Sequence, residues 1–444
     1  MKKLKLFSLA WPIFVETALF MLLGFIDVFV LSQYDDLAAS SVNTANQSVS
    51  IVTIVFTVIS GASAVLISQY LGAENNEAAS RISALAITLN FSLGIVISAV
   101  LLIFKRRILS FIGAEGTILE FSSQYLSIVG GFIFLQAVLS AMTVIIRNHG
   151  MTQISMYVTV GMNIINTVLD IIFVLGLFGI PKMGVAGVAI ATAFSRVVGT
   201  FVLAAVLFTK VESFSIFRLL NPFPIKDIVN IIKIGVPSAL ETFLYNISQL
   251  AITSIVLNCL SETELITKTY VQNITMFFYI FALSIGQASQ IITGHLVGAE
   301  KYDEVYTRNI KSYRQALSIT VIVCIIGILL RSRLIGIFTD NSEVIALGSD
   351  IIIINIILEL GRTTNLVIIA CLRGAGDVYF PTICAIFSMW VISVAGSYVF
   401  AVMLGLGIYG LWIALAADEC FRGILMVWRW KSGKWRNKSI AAVK

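Results

Sequence analysis

The sequence predicts an all-α polytopic membrane protein, with twelve transmembrane helices in two six-helix lobes related as parallel repeats. Three observations carry this. Of 444 residues, 58% are hydrophobic and only 12% charged, about half the charged fraction of a water-soluble globule. Apolar stretches long enough to cross a bilayer, about 20 residues each, recur twelve times along the chain. Landmarks of the first half return in order in the second, the signature of an internal duplication.

The spans fall at roughly 7–31, 48–71, 83–104, 121–143, 152–175, 184–208, 228–256, 271–297, 311–330, 344–369, 380–403 and 407–428. No alternating apolar pattern of about ten residues supports a β-barrel. Lys2, Lys3 and Lys5 ahead of the first run imitate a signal peptide, but the run is too long and holds two carboxylates. Most of the 30 Lys and Arg lie in loops on the side that holds the N-terminus, and Arg196 and Arg362 lie inside spans. That bias places both termini in the cytoplasm. Lys105, Arg106 and Arg107 run against it, as snorkelling residues at the outer interface. The +6 net charge forms no basic stripe with interleaved aromatics, so nucleic acid is not a partner. The five cysteines have no CxxC spacing, and neither a disulfide framework nor a thiolate metal site is implied.

The first span carries Pro12, Glu16 and Asp27. Ionisable groups at membrane depth are functional candidates. Eleven residues, about three turns, separate the two acids, which places both on one face about 16 Å apart. Gln47 in the first half, and Gln272 with Asn273 in the second, open spans two and eight. The fifth span carries Thr159, Asn163, Asn166 and Asp170 at spacings of four, three and four, a polar stripe on one face. Asp170 and Asp27 lie at similar depth near the outer ends of their spans. Oxygen ligands at one depth suit a hard cation such as Na⁺, and two acids able to share a charge suit a proton.

The longest hydrophilic connection, Thr209 to Asp227, separates the halves, giving lobes at 1–208 and 228–430, a cytoplasmic linker at 209–227 and a basic tail at 431–444. "WPIFVET" at Trp11 to Thr17 returns as "VPSALET" at Val236 to Thr242, 225 residues later. "LGAE" ending at Glu74 returns as "VGAE" ending at Glu300, and Arg147 and Gly150 return as Arg373 and Gly376, all at 226. "GVAG" from Gly184 returns as "GIYG" from Gly407, at 223. Six spans per half give both lobes the same orientation, an architecture suited to alternating access. The acids are not duplicated: Asp27 corresponds to Ile252 and Asp170 to Gly396. The coupling site therefore belongs to the first lobe. The second lobe keeps Glu241, Asn246, Gln249, Glu359 and Arg362 inside spans, and these with Glu16 are the substrate-cavity candidates. Glu359 and Arg362, three residues apart, are also able simply to pair.

"NIINTVLDIIFVLGLFGIPKMGVAGVAIATAFSR", Asn163 to Arg196, resembles the span-five to span-six signature of the MATE multidrug and toxin extrusion transporters. "GFIDVFVLS", Gly24 to Ser32, is similar to that family's first-span acidic motif, and the paired P-x3-E openings resemble the bacterial DinF-like branch. The resemblance spans the whole chain. It implies that Asp27, Asn166 and Asp170, with Asn163 beside them, couple transport to H⁺ or Na⁺. It also implies a monomeric antiporter of the bacterial cytoplasmic membrane, without cofactor, that exports amphipathic, often cationic, small molecules. A lipid-linked saccharide flippase is the first rival, and a membrane-embedded enzyme a distant second. The flippase needs several cavity-facing basic residues for a pyrophosphate. The enzyme lacks any nucleophile elbow, phosphate loop or paired His and acid motif.

Overall fold

Helix after helix extends beyond its apolar stretch. A computed structural model describes residues 4–439, so Lys2, Lys3 and the end of the tail, 440–444, lie outside the described residues. The helices are α1 (Leu6–Ser32), α2 (Asp36–Gly72), α3 (Asn76–Phe111), α4 (Gly116–Val129), α5 (Ile133–Asn148), α6 (Thr152–Leu175), α7 (Gly184–Val206), α8 (Ile225–Cys259), α9 (Glu262–Gly298), α10 (Tyr302–Gly336), α11 (Ser342–Gly374), α12 (Tyr379–Met403) and α13 (Gly407–Lys431).

Among the described residues ten helices are long and apolar enough to cross a bilayer, and α4 with α5 forms an eleventh span bent by 50°. The fourth span, expected at 121–143, carries this bend in its middle. Gly130 and Gly131 sit at the break, where poor helix formers weaken the ladder. The twelfth, α13, holds Asp418, Glu419 and Arg422 in its middle, all three buried. The sequence reading, which placed only Arg196 and Arg362 among basic residues inside spans, passed over Arg422.

With 37 residues, α2 is roughly 55 Å long, well beyond a hydrocarbon core of about 30 Å. Hydropathy detects only the apolar part, because the first turns of α2 are rich in Ser, Asn and Gln. Gln47 accordingly sits inside α2, and Gln272 and Asn273 inside α9, rather than opening their spans. Lipid-facing positions are recognisable by large exposed apolar side chains such as Ile103, Phe201, Leu250 and Leu329, which only a nonpolar solvent tolerates in such number.

Residue contacts divide the chain into two units. One comprises Trp11–Leu71 with Asn75–Gly235, and the other Val236–Lys444 with Met1–Ala10 and Gly72–Glu74. In the first unit, Leu31, Val42, Phe56, Leu126 and Ile133 form a buried core, and α6 packs along α7. The segment before α8 is fixed to α3: Ser80 Oγ donates to Glu212 at 2.6 Å, and Arg81 pairs with Asp227 at 2.6 Å. In the second unit, α11 lies against α9, α10 and α13. Gly361 permits a close approach to α13. A Cβ at that position would sit 2.7 Å from the backbone nitrogen of Cys420 on α13.

Helix ends repeat between the halves. Glu74 and Glu300 close the matching "GAE" turns, both left-handed at φ 59° and 58°. Asn75 caps α3 by accepting from the Ala78 backbone at 3.1 Å, and Ser261 caps α9 in a reciprocal box with Glu264, satisfying donors that a helix start leaves open. The winding of one pair of matching helices differs between the halves. The helix α6 is regularly wound, whereas its counterpart α12 passes through π-wound turns at Met389–Val394 and Tyr398–Met403.

Candidate ion-coupling site and cavity

In the first unit, α1 and α6 bring Asp27, Asn166 and Asp170 together. All three are buried, with exposures of 8%, 1% and 0%. Asn166 lies one turn before Asp170, so both point the same way. With its amide oriented so that both ends are satisfied, Asn166 donates to Asp27 Oδ1 at 3.2 Å and to Asp170 Oδ2 at 3.2 Å. Its Oδ1 then accepts the Thr192 backbone N–H at 3.2 Å, which ties the cluster to α7. The two carboxyls are also close enough to act on each other electrostatically, and Asp170 Oδ1 is buried without a hydrogen-bond partner. Tyr125 of α4 faces both acids, and its Oη donates to Asn46 Oδ1 at 3.1 Å.

Beside this cluster lies a cavity of about 280 Å³. Its apolar wall includes Phe20, Leu23, Leu139 and Met162, and its polar wall Thr159, Asn163, Asn166, Thr192 and Arg196. That mixture, apolar area with a few convergent polar groups, is the usual make-up of a small-molecule site. The stripe expected from spacing on the fifth span is thus split in use. Thr159 and Asn163 face the cavity alone, Asn166 faces both cavity and acids, and Asp170 lies behind. Asn163 Nδ2 has no hydrogen-bond partner.

Glu16 lines the same cavity and is committed to neighbours: Arg147 Nη2 at 2.6 Å and Ser155 Oγ, which donates at 2.5 Å. The second unit builds the same device. Glu241 accepts from Arg373 at 2.7 Å and from Thr382 at 3.0 Å. The repeated glutamate and the repeated arginine, read in the sequence as separate landmarks, are partners in both halves.

The remaining candidates of the second unit divide. Gln249 and Arg362 line a cavity of about 20 Å³, room for about one water. Glu241 and Asn246 are not among its lining, and Asn246 is exposed, donating back to Thr242 at 2.8 Å. Glu359 is fully buried behind Arg362 and pairs with it at 2.7 Å. The sequence reading missed the other side of this network. Arg362 also approaches Glu419 at 3.5 Å, and Arg422 bonds Asp418 at 2.9 Å and Glu419 at 3.0 Å. Asn365 adds a donor to Glu419 at 3.0 Å. Three acids and two arginines are thus closed on one another, with Arg362 stacked over Tyr279 at 4.9 Å. A charge triplet at 418, 419 and 422 in an apolar run was the available signal.

A family model described as MatE matches residues 12–172 and 237–399, once in each half. The chain is 37% identical to "Uncharacterized transporter YisQ" of Bacillus subtilis, over 99% of this chain and 96% of that protein. It is 30% identical to "Probable multidrug resistance protein NorM" of Thermotoga maritima, over 98% and 94%. Its fold is similar to a solved structure described as "Outward-facing conformation of a multidrug resistance MATE family transporter of the MOP superfamily". The TM-score is 0.88 at 22% identity, over 97% of this chain and 96% of that one. A second similar structure, described as "Reverse polarity of binding pocket suggests different function of a MOP superfamily transporter from Pyrococcus furiosus", aligns with a TM-score of 0.87 at 21% identity, over 96% and 94%.

Proposed function

The chain belongs to the MatE family of membrane transporters, and from that premise we propose that it is a secondary active antiporter. It exports amphipathic, often cationic, small molecules while H⁺ or Na⁺ enters. The coupling site is Asp27, Asn166 and Asp170, with Asn163 at its cavity edge. The chain works as a monomer in the bacterial cytoplasmic membrane with both termini inside. Lobes at 1–208 and 228–430, joined by the linker at 209–227, alternate access between the two sides of the membrane.

The observation that carries this reading is the double exposure of Asn166. One amide bonds both carboxylates and also lines the cavity. Filling or emptying the acid pair changes what Asn166 holds, and Asn166 changes the wall that a substrate meets. Two carboxylates in a buried site cannot both keep their charge cheaply, so the pair favours a bound cation or a shared proton. The glutamates at 16 and 241 are engaged with arginines and serve as structural pairs rather than first ion ligands.

The test is efflux of ethidium from everted vesicles with pH and Na⁺ gradients imposed separately. One of the two gradients should drive transport in the native chain and neither in Asp27→Asn. Gradient-driven efflux that persists in correctly inserted Asp27→Asn would place the coupling site elsewhere.

A further inference from the structure

We infer that Arg196 is the coupling element between the acid pair and the cavity. Its tethered guanidinium compensates Asp27 when the pair has lost its proton, and turns its charge into the cavity when a proton fills the pair. The inference rests on the antiporter reading and supplies the device by which that site acts.

Position comes first. Arg196 lies one turn after Thr192 on α7, on the same helix face, and Thr192 is the residue whose backbone N–H holds Asn166. Arg196 and Asn166 share the cavity wall. The guanidinium is within electrostatic reach of Asp27 and of Tyr125, yet its Nη1 is buried with no hydrogen-bond partner. The other charges lining the cavity, Glu16 and Arg147, neutralise each other at 2.6 Å. Arg196 is therefore the charge left over there.

Asn166 draws both acids onto one buried amide, and two carboxyls so placed share a proton more cheaply than they keep two charges. While that proton is held, Arg196 stands in the cavity wall. Loss of that proton leaves two negative charges beside a cation with an open donor. Attraction between opposite charges drawn together in a medium of low dielectric exceeds thermal energy several-fold, and the guanidinium closes on Asp27. Arrival of a proton reverses this and returns a positive charge to the cavity, which expels a bound cation. A cation entering the cavity drives Arg196 back to the acids and displaces the proton. That opposition is exchange.

The same geometry favours H⁺ over Na⁺. A sodium ion wants several oxygen ligands, whereas the orientation that satisfies both ends of the Asn166 amide turns its nitrogen to the acids and its oxygen to Thr192. Tyr125 has its hydroxyl on Asn46. The tethered guanidinium competes for the carboxylate oxygens that remain.

The experiment uses purified full-length protein and ethidium as the probe, with equilibrium binding measured at about pH 6 and about pH 8. Binding by the native chain should weaken about tenfold at the lower pH, which is about 1.4 kcal/mol. Arg196→Met should bind ethidium equally at both, and Arg196→Lys should retain the dependence. By reciprocity, the native chain should also release about one proton per ethidium bound. That measurement decides the matter should Arg196→Met not fold, since absence of proton release overturns the relay. A folded Arg196→Met that keeps the native pH dependence, when Asp27→Asn loses it, overturns the relay and leaves the acid pair standing. Retained dependence in Asp27→Asn instead overturns the antiporter site itself.

Discussion

Replacing Arg147 by Met tests whether the repeated ion pairs hold each half together. In the folded chain Arg147 Nη2 sits 2.6 Å from Glu16 Oε2, and the two side chains are 15% and 13% exposed. At that burial the pair attracts by about 4 kcal/mol for charges near 4 Å and an effective dielectric of 20, against a desolvation cost of several kcal/mol already incurred by each ion. Removing Arg147 alone leaves the largely buried Glu16 without its cation, with Ser155 still donating to it. The expected loss is about 3–5 kcal/mol, the range for an orphaned partner of a buried pair. Removing both charges, as Glu16→Gln with Arg147→Met, should recover most of it. The assay is a double-mutant cycle read by unfolding in mixed detergent micelles, with the Glu241 and Arg373 pair as an internal duplicate. A coupling energy of about 2 kcal/mol or more is expected in both cycles. Simple additivity in both would refute the reasoning, because side chains that share no interaction behave independently.

Further expectations concern the site, the packing and the topology. Asp27→Asn and Asp170→Asn should each abolish gradient-driven efflux in normally inserted protein. The double substitution should be no worse than either, as for residues acting as one unit; a multiplicative loss measured in vesicles would separate them. Asn166→Leu should insert normally but transport without regard to the gradient, since the bonds to both acids and to Thr192 go together; tight coupling in that variant would remove Asn166 from the site. Gly361→Leu should cost about 1–3 kcal/mol in the same unfolding assay, because the added carbons meet the backbone of α13 2.7 Å away. A reporter active only outside the cytoplasm, fused after Lys444, should stay silent.

Asp27, Asn166 and Asp170 were legible in the sequence because a carboxylate in an apolar span is conspicuous and helical spacing fixes which face it shares. Their meeting was inferable from common depth. Thr192 was not, since its contribution is a backbone N–H and any residue carries one. Arg196 was visible as a charge inside a span, but its kinship with the acids depends on the rotation of α7, which periodicity alone leaves open. Glu16 and Arg147 were each read as landmarks of a repeat. Their 131 residues of separation hide the fact that one answers the other. Asp418, Glu419 and Arg422 are inconspicuous because opposite charges lie within about one turn of each other and the basic tail follows closely. The long polar starts of α2 and α9 escaped because hydropathy follows the lipid, whereas a helix continues for as long as its hydrogen bonds close.

The π-wound stretches of α12 give the asymmetry of the halves a practical meaning. On α6 the acid and its amide cooperate because regular winding stacks residues four apart. On α12 the corresponding segment, Met389–Val394, closes its hydrogen bonds one residue further along, and everything beyond it is turned relative to what precedes. Writing aspartate at Gly396 and asparagine at Ile392 would reproduce the letters of the first half without reproducing their shared direction. The second half shares the scaffold but not its phase, so the chemistry of the acid pair cannot be written into it by side chains alone.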